Sequence, residues 1–431
     1  MSDAAATGAS ARRRWWTLAV LALVAFIATV DRQAFVVLLV PIQKQLQVGD
    51  AAMGFLMGSA FALAQAAFSL PMGRLVDRTN RRNLLALALA AWSLATALGG
   101  LASTFAALVV ARLVVGAAEA AQTPATASLV GDLFDANRRG AAFTFCSVGM
   151  GLGVSFGAYA GGKLSDLYGW NAALFAVGAP GLVVALMLYL TVPEPRRAGA
   201  LDTRPAVALS QMLRACLAIR TLPPFVVAFA ALQGAVFAWF VWFPVLLMRV
   251  HGLSAAQMGS IFGTVVLCGV ASALWIGPVS DVFARRGARR RVQFLVAIAA
   301  LSAPLMLASA LAPSLQAATW CAIGFTLIAG GHHPVAMATY ASLSPPRVRG
   351  SVAAVVYLVV TLAGGAGAPF VFGLVNDALS ARYAEQTVRY TLLLAPVLLA
   401  VAAVFFRIAA RTVDDDTAAA ERPEPGRIQL L

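Results

Sequence analysis

The chain has 431 residues, 61% of them hydrophobic and only 12% charged, and its mean hydropathy is +0.82. A water-soluble domain carries about 25% charged residues, so this composition is suited to lipid rather than water. The net charge of +14 does not indicate a nucleic-acid binder, because the arginines sit in short gaps between apolar runs, with no basic domain and no interleaved aromatics.

A membrane-crossing helix needs about 20 predominantly apolar residues. The pattern predicts twelve, over 15–40, 51–74, 83–103, 105–131, 140–164, 170–192, 224–249, 255–281, 291–311, 315–341, 350–377 and 388–410. Gly, Ala and Ser are frequent inside them, which suits close helix packing in lipid. Arg12–Arg14 resembles the basic start of a signal peptide. The run after it is long enough to span and lacks a small-residue cleavage site, so it reads as a first transmembrane helix. Cys146, Cys216, Cys268 and Cys321 follow neither metal-ligand nor disulfide spacing and read as small packing residues; no metal site is expected.

Lys and Arg set the orientation. With the N-terminus inside, the inner segments hold Arg12–Arg14, Arg74, Arg78, Arg81, Arg82, Arg138, Arg139, the arginines of the central gap, Arg285–Arg291, Arg347, Arg349 and those beyond Arg407. Lys44, Lys163, Arg249, Arg382 and Arg389 fall outside, and Arg32 and Arg112 lie within helices. Both termini are therefore expected in the cytoplasm. The longest inner gap, 193–223, contains "AVALSQMLRACLAIR" (206–220), a stretch suited to an interfacial amphipathic helix. It links an N-terminal half, 1–192, to a C-terminal half, 224–411. The polar tail, 412–431, is expected to be disordered.

The two halves repeat weakly. Gly54 and Gly259, Gly73-x-x-x-Asp77 and Gly277-x-x-x-Asp281, and Arg139–Gly140 and Arg349–Gly350 occur in the same order. Two parallel six-helix repeats around a central site are a transporter design. The expected fold class is an all-α membrane protein, with twelve transmembrane helices in two pseudo-symmetric halves.

Asp31 and Arg32 interrupt the apolar run from Trp15 to Val40. A charge inside a membrane helix costs at least about 2.5–3.5 kcal/mol, so such groups face a partner or a watery cavity. Glu119 lies near the middle of the fourth helix, and Arg112, seven residues earlier, shares its face. Arginine does not release its proton, so the carboxyls must carry any proton that moves. Asp31 and Glu119 are the candidate proton acceptors, and Arg32 and Arg112 their partners or ligands for a substrate anion. The alternative is a static, fully paired cluster that only fixes helix register.

"GRLVDRTNRR" (73–82) resembles the loop signature G-x-x-x-D-R-x-G-R-R of the major facilitator superfamily. Asn80 replaces the last glycine, and Asn also accepts left-handed backbone angles. Gly277–Arg286 is a degenerate second copy. A narrower resemblance is to the Spinster-like group. It lies in "VDRQAFVVLLVPIQKQLQVGDAAMGFLMGSAFAL" (30–63), "ARLVVGAAEAAQTPATASLVGDLF" (111–134), "YGWNAALFAVGAPGLV" (168–183) and "WFPVLLMRVHGLSAAQMG" (242–259).

This resemblance implies that the first and fourth helices are neighbours, with Asp31, Arg32, Arg112, Gly116 and Glu119 in one functional network. It also implies an inner gate of Gly73, Asp77, Arg78, Arg81, Arg82 and Asp281, with Asp77 near a helix N-terminus that favours a carboxylate; plain loop anchoring is the alternative. Eukaryotic Spinster-like proteins move lysolipids and sphingolipid phosphates. Organic anion:cation symporters carry similar Asp–Arg and Gly-x-x-Glu-Ala patterns, so a small organic anion stays open as substrate.

"GVSFGAYAGG" (153–162) resembles part of an antiporter signature, with Ala158 where the proline would stand; glycine packing explains it equally. Histidine titrates near neutral pH, so His332 and His333 are candidates for a second proton site or an anion contact, with a hydrogen-bonded packing role as the alternative. With Gln65, Gln233, Trp239, Trp242 and Tyr357 they are candidates for lining a cavity, although Trp also serves as an interface belt. The second half places few charges in the membrane, so a cavity charged on one wall and apolar on the other is expected. Such a cavity suits an amphipathic anion.

The reading is a proton-coupled secondary transporter in a bacterial cytoplasmic membrane, working by alternating access. Its expected partners are a small-molecule or lipid substrate, protons and surrounding lipid. It is expected to be a monomer that binds no nucleic acid and uses no cofactor beyond the proton gradient. No H-E-x-x-H and no assembled His/Ser/Asp set indicates an enzyme, and no G-x-x-x-x-G-K-[ST] indicates an ATP-driven pump.

Overall fold

The structure, a computed structural model, describes residues 2–194, 209–344 and 349–421, which are helical nearly throughout. Among the described residues nine helices are long and apolar enough to cross a membrane. Two of these, Arg138–Thr191 and Val352–Ala409, run to 54 and 58 residues, far beyond the ~20 of one crossing. Each is two spans joined by a sharp turn. The first turns at Gly169, whose φ of 83° and ψ of 162° belong to backbone open to glycine. The second turns at Ala384–Gln386. The tenth span is interrupted, as Leu315–Ala329 and His332–Ser342, and no single piece is long enough to cross alone. The twelve expected crossings are all present.

Packing divides the chain into two units. One is Met1–Thr203 with Gly252–Leu267, and the other is Arg204–His251 with Cys268–Leu431. The sequence repeat puts all of the eighth helix, Ala255–Ala284, in the second half, but its N-terminal end packs within the first unit. Small residues make this possible. A Cβ on Gly162 would strike the backbone of Ala255 and Ala256, and one on Gly259 would strike the Ala158 carbonyl. The Asp166 carboxylate accepts the N–H groups of Ala255 at 3.2 Å and Ala256 at 2.9 Å. Ser254 and Gln257 complete the helix start with reciprocal bonds, a capping box.

Within the first unit the fifth span lies on the first through a stripe of glycines. Gly149, Gly153, Gly157 and Gly161 face the backbone of Ala22, Phe26, Val30 and Ala34 in turn. Glycine every fourth residue forms one smooth helix face, which lets the two backbones touch. The glycines of the antiporter-like stretch are explained by this packing.

In the second unit the seventh span, Leu222–Arg249, carries an aromatic core. Trp239 stacks on Phe243 with ring centroids 4.4 Å apart, and Phe225 meets Phe406 edge-on at 5.3 Å. In the linker, residues 195–208 lie outside the described residues, and Leu209–Ala218 forms a helix inside the expected amphipathic stretch.

The tail departs from expectation. Val413–Glu421 is a helix, and Val413 is wholly buried. Asp416 accepts the N–H of Thr221 at 2.8 Å and its hydroxyl at 2.6 Å. Asp414 accepts the N–H of Arg289 at 2.9 Å. These N–H groups belong to the starts of the seventh span and of the ninth, Ala288–Leu311. An acidic run that reads as solvated instead satisfies helix ends that have no intrahelical partner. Residues 422–431 lie outside the described residues.

Candidate functional site

The fourth span is broken in mid-membrane, as Phe105–Glu119 and Gln122–Leu133. Pro124 is the local cause, because it lacks the N–H that would reach the Ala120 carbonyl. The tenth span breaks in the same way at Gly330–Gly331, with Pro334 four residues after Gly330. Pro124 and Pro334 are separated in sequence as Arg139 and Arg349 are, so the break is part of the repeat. Transporters build ion and substrate sites at such discontinuous helices.

Glu119 is the last residue of its half-helix. Its Oε2 lies 2.8 Å from Arg32 Nη2, and the glutamate side chain is 0% exposed while that of Arg32 is 35% exposed. The ion pair thus has an open end and an enclosed end. Asp31 is wholly buried. Its Oδ2 accepts from the Thr96 hydroxyl at 3.4 Å, and its Oδ1 has no hydrogen-bond partner among the described residues.

Arg112 is also buried, with its guanidinium 4.1 Å over the Phe35 ring and 5.7 Å from that of Phe61. Arg32 lies 5.2 Å from the same Phe61 ring. These are cation–π contacts, strongest where water is excluded. Nε and Nη1 of Arg112 have no hydrogen-bond partner among the described residues. The four charges act on one another electrostatically.

The structure therefore brings the expected four residues together, but not as a closed set of pairs. There is one ion pair, one acid held by a hydroxyl and one guanidinium held by aromatic rings. Gly116 explains how the second and fourth spans come so close, since a Cβ there would run into the Phe61 carbonyl and meet Ala64 Cβ at 3.1 Å. Phe61 directly follows a π-helical stretch, Phe55–Ala60, a feature that recurs at functional sites.

In the second unit His332 Nε2 lies 2.8 Å from Gln233 Oε1, and Nδ1 lies 2.6 Å from the Ala329 carbonyl. A carbonyl only accepts, so Nδ1 carries the hydrogen; a neutral ring then needs the Gln233 amide turned to donate to Nε2. His333 packs on Phe229 with centroids 5.6 Å apart. Gln65 is half-buried on the second span, and Tyr357 is 53% exposed.

Trp239 and Trp242, expected on a cavity wall, are 0% exposed. Trp239 donates to Ser309 Oγ at 3.2 Å and Trp242 to the Pro369 carbonyl at 3.0 Å. Both are core residues of the second unit, because a buried indole N–H is held wherever it finds an acceptor.

At the loop between the second and third spans, Arg81 is the hub. Its Nε donates to Glu194 Oε1 at 2.8 Å, and its Nη1 donates to Ser128 Oγ at 2.8 Å and pairs with Asp132. Arg82 donates its backbone N–H to Glu194 Oε2 at 2.9 Å and lies over the Tyr189 ring. Arg81 thus joins the third, fourth and sixth spans. Asp77, Arg78 and Asp281 are exposed, and the two aspartates make no ion pair among the described residues. A Cβ on Gly73 would meet nothing within 4 Å.

Sequence reasoning missed Thr96, Phe35, Phe61, Asp132 and Glu194. The two acids carried a signal, as rare negative charges beside a strongly basic loop. It also passed over Gly153-Val-Ser155-Phe-Gly157, which matches the spacing of a hydrolase nucleophile elbow. That motif needs a strand-to-helix turn, whereas Ser155 lies inside a helix whose glycines pack on the first span.

The sequence profile of the Major Facilitator Superfamily matches residues 21–369. An MFS-type efflux pump of Mycolicibacterium smegmatis is 28% identical over 406 residues, covering 92% of this chain and 93% of that protein. A probable galactarate/D-glucarate transporter of Bacillus subtilis is 26% identical over 301 residues, covering 64% and 66%. A sphingosine-1-phosphate transporter of Danio rerio is 26% identical over 416 residues, covering 90% and 82%. Among solved structures, a bacterial homologue of the human lysosomal transporter Spinster superposes with a TM-score of 0.82 at 24% identity, covering 96% of this chain and 99% of that one.

Proposed function

We propose that this chain, which belongs to the major facilitator superfamily of multi-pass membrane transporters and not to an enzyme family, is Spinster-like and couples proton movement to transport of an amphipathic anion by alternating access. The observation that carries this reading is the Arg112 guanidinium. It is buried, has two nitrogens without a hydrogen-bond partner among the described residues, and lies against two aromatic rings beside two buried carboxyls. An anion is what such a group takes up.

Coupling follows from charge. An anion bound to Arg112 or Arg32 draws that guanidinium away from Asp31 or Glu119, and a buried carboxylate that loses its cation binds a proton more readily. Release of the anion reverses both steps. The proton gradient is the driving force, and no cofactor takes part. The protein is read as residing in a bacterial cytoplasmic membrane, where the distribution of Lys and Arg supports both termini lying inside, and a monomer suffices for this mechanism.

The relatives move, by their names, a sphingolipid phosphate and sugar diacids, both anions. Phe35 and Phe61 around the guanidinium favour a substrate with an apolar part. The similarity to the galactarate/D-glucarate transporter favours a second reading, proton symport of a small organic anion.

Proton flux in proteoliposomes holding a pH dye separates the two. Lysophospholipids, sphingosine-1-phosphate and galactarate are added in turn to wild type and to E119Q. The amphipathic reading expects proton movement with the lipid anions, in wild type only. Movement with galactarate alone selects the second reading, and equal coupling in E119Q removes Glu119 from the mechanism.

A further inference from the structure

Buried Ser and Thr in this chain commonly return their hydroxyl to a carbonyl of their own helix. Thr29 bonds the Ala25 carbonyl at 2.9 Å, Thr339 that of Val335 at 2.8 Å, Ser272 that of Gly269 at 2.6 Å and Ser309 that of Met306 at 2.8 Å. Thr96 departs from this habit. It is 0% exposed, and its hydroxyl leaves the third span to reach Asp31 Oδ2. Arg32, next in sequence to Asp31, is engaged with Glu119. Thr96 is therefore the hydrogen-bond partner of Asp31 among the described residues.

We propose that Thr96 is a positioning residue for proton coupling, directing the proton to Asp31 Oδ1 by occupying Oδ2. The inference rests on the reading of Asp31 as a proton carrier. A hydroxyl donating to one carboxylate oxygen stabilises the ionised form and leaves the other oxygen as the base. When Oδ1 takes up the coupled proton it becomes the O–H, and Oδ2 still accepts from Thr96. Glu119 and Arg112 face Asp31 from the fourth span and Arg32 acts on it from its own helix; from the third span the group that reaches it is the uncharged Thr96.

The test needs no substrate. Infrared difference spectra of the full chain in lipid nanodiscs are recorded as a function of pH, and the carboxyl C=O band lost in D31N reports Asp31. T96V, which keeps the shape and removes the donor, is expected to move the midpoint of that band about one unit toward higher pH and its stretch to higher frequency. T96S keeps the donor and is expected to titrate as wild type. T96A carries the same test if T96V does not purify as a single species. A variant without the hydroxyl that titrates with wild type overturns the role of Thr96. If no D31N-sensitive band titrates in wild type, the proton-carrier reading of Asp31 falls instead.

Discussion

Arg32 Nη2 and Glu119 Oε2 meet at 2.8 Å across the first and fourth spans, with the arginine partly exposed and the glutamate wholly enclosed. The two ends of this pair are therefore unequal. Removing Glu119 leaves a guanidinium that water can solvate. Removing Arg32 strands a carboxyl in the dry interior, where the charged form is penalised.

The expected outcome is that R32A lowers the melting temperature more than E119Q does. Both should fall short of the roughly 3–5 kcal/mol for breaking a fully buried pair. R32A/E119Q should recover part of the R32A loss. Thermal unfolding of the four proteins in the same detergent measures this; equal shifts for the two single variants would contradict the geometry.

Two glycines of the second and fourth spans should behave oppositely. G116A places a Cβ against the Phe61 backbone and is expected to cost about 1–3 kcal/mol through overpacking, visible as a lower melting temperature. G73A meets open space and should leave the melting temperature unchanged. If Gly73 belongs to the inner gate, G73A still slows transport, because the glycine is needed in a conformation other than this one. Wild-type flux in G73A would count against the gate.

The twelve spans were readable because each needs only a sufficient length of apolar sequence, and the turn at Gly169 falls in the gap expected between 164 and 170. The four membrane charges were readable because lipid makes every such residue conspicuous. Their pairing was not, since a ring such as Phe35 or Phe61 looks like any other apolar residue until a guanidinium lies on it. Trp239 and Trp242 misled for the same reason: an indole within a span can face lipid, cavity or core. Asp414 and Asp416 were misread because the helix ends they cap lie 125 and 195 residues away in sequence.

Arg81 should be a point of failure for the first unit. Its side chain is 1% exposed and ties Asp132 and Glu194 together. R81A leaves two carboxylates without their shared cation and is expected to destabilise more than D132N or E194Q, each of which leaves the hub with one acid. R81K should behave nearly as badly as R81A, since an ammonium cannot reproduce the fork that serves both. Melting temperatures of the four variants provide the check.

His251, in the loop after the seventh span, links stability to pH. Burial holds its imidazole below the ordinary histidine range, and the nearby Arg389 adds to this. The unfolded chain therefore binds a proton near pH 6.5 that the folded chain resists. The stability of the neutral form is present above about 6.5 and is lost as pH falls below it. Wild type should melt at progressively lower temperature from pH 7 to pH 5, and H251N should show a shallower decline. Parallel curves would exclude His251 as a contributor.

The tail helix makes the last prediction. Asp416 and Asp414 each satisfy a backbone N–H where a membrane helix begins. A lost cap costs about 0.5–2 kcal/mol. D414N retains an acceptor oxygen and loses only the charge, so it should be mild. D416A removes the acceptor for both Thr221 groups, and a stop codon at Thr412 also removes the buried Val413. The melting temperature is expected to fall in the order D414N, D416A, truncation. Hydrogen exchange should then rise at Thr221 after D416A and at Arg289 as well after truncation. Unchanged exchange at both starts would mean that the tail does not hold these helix ends in solution.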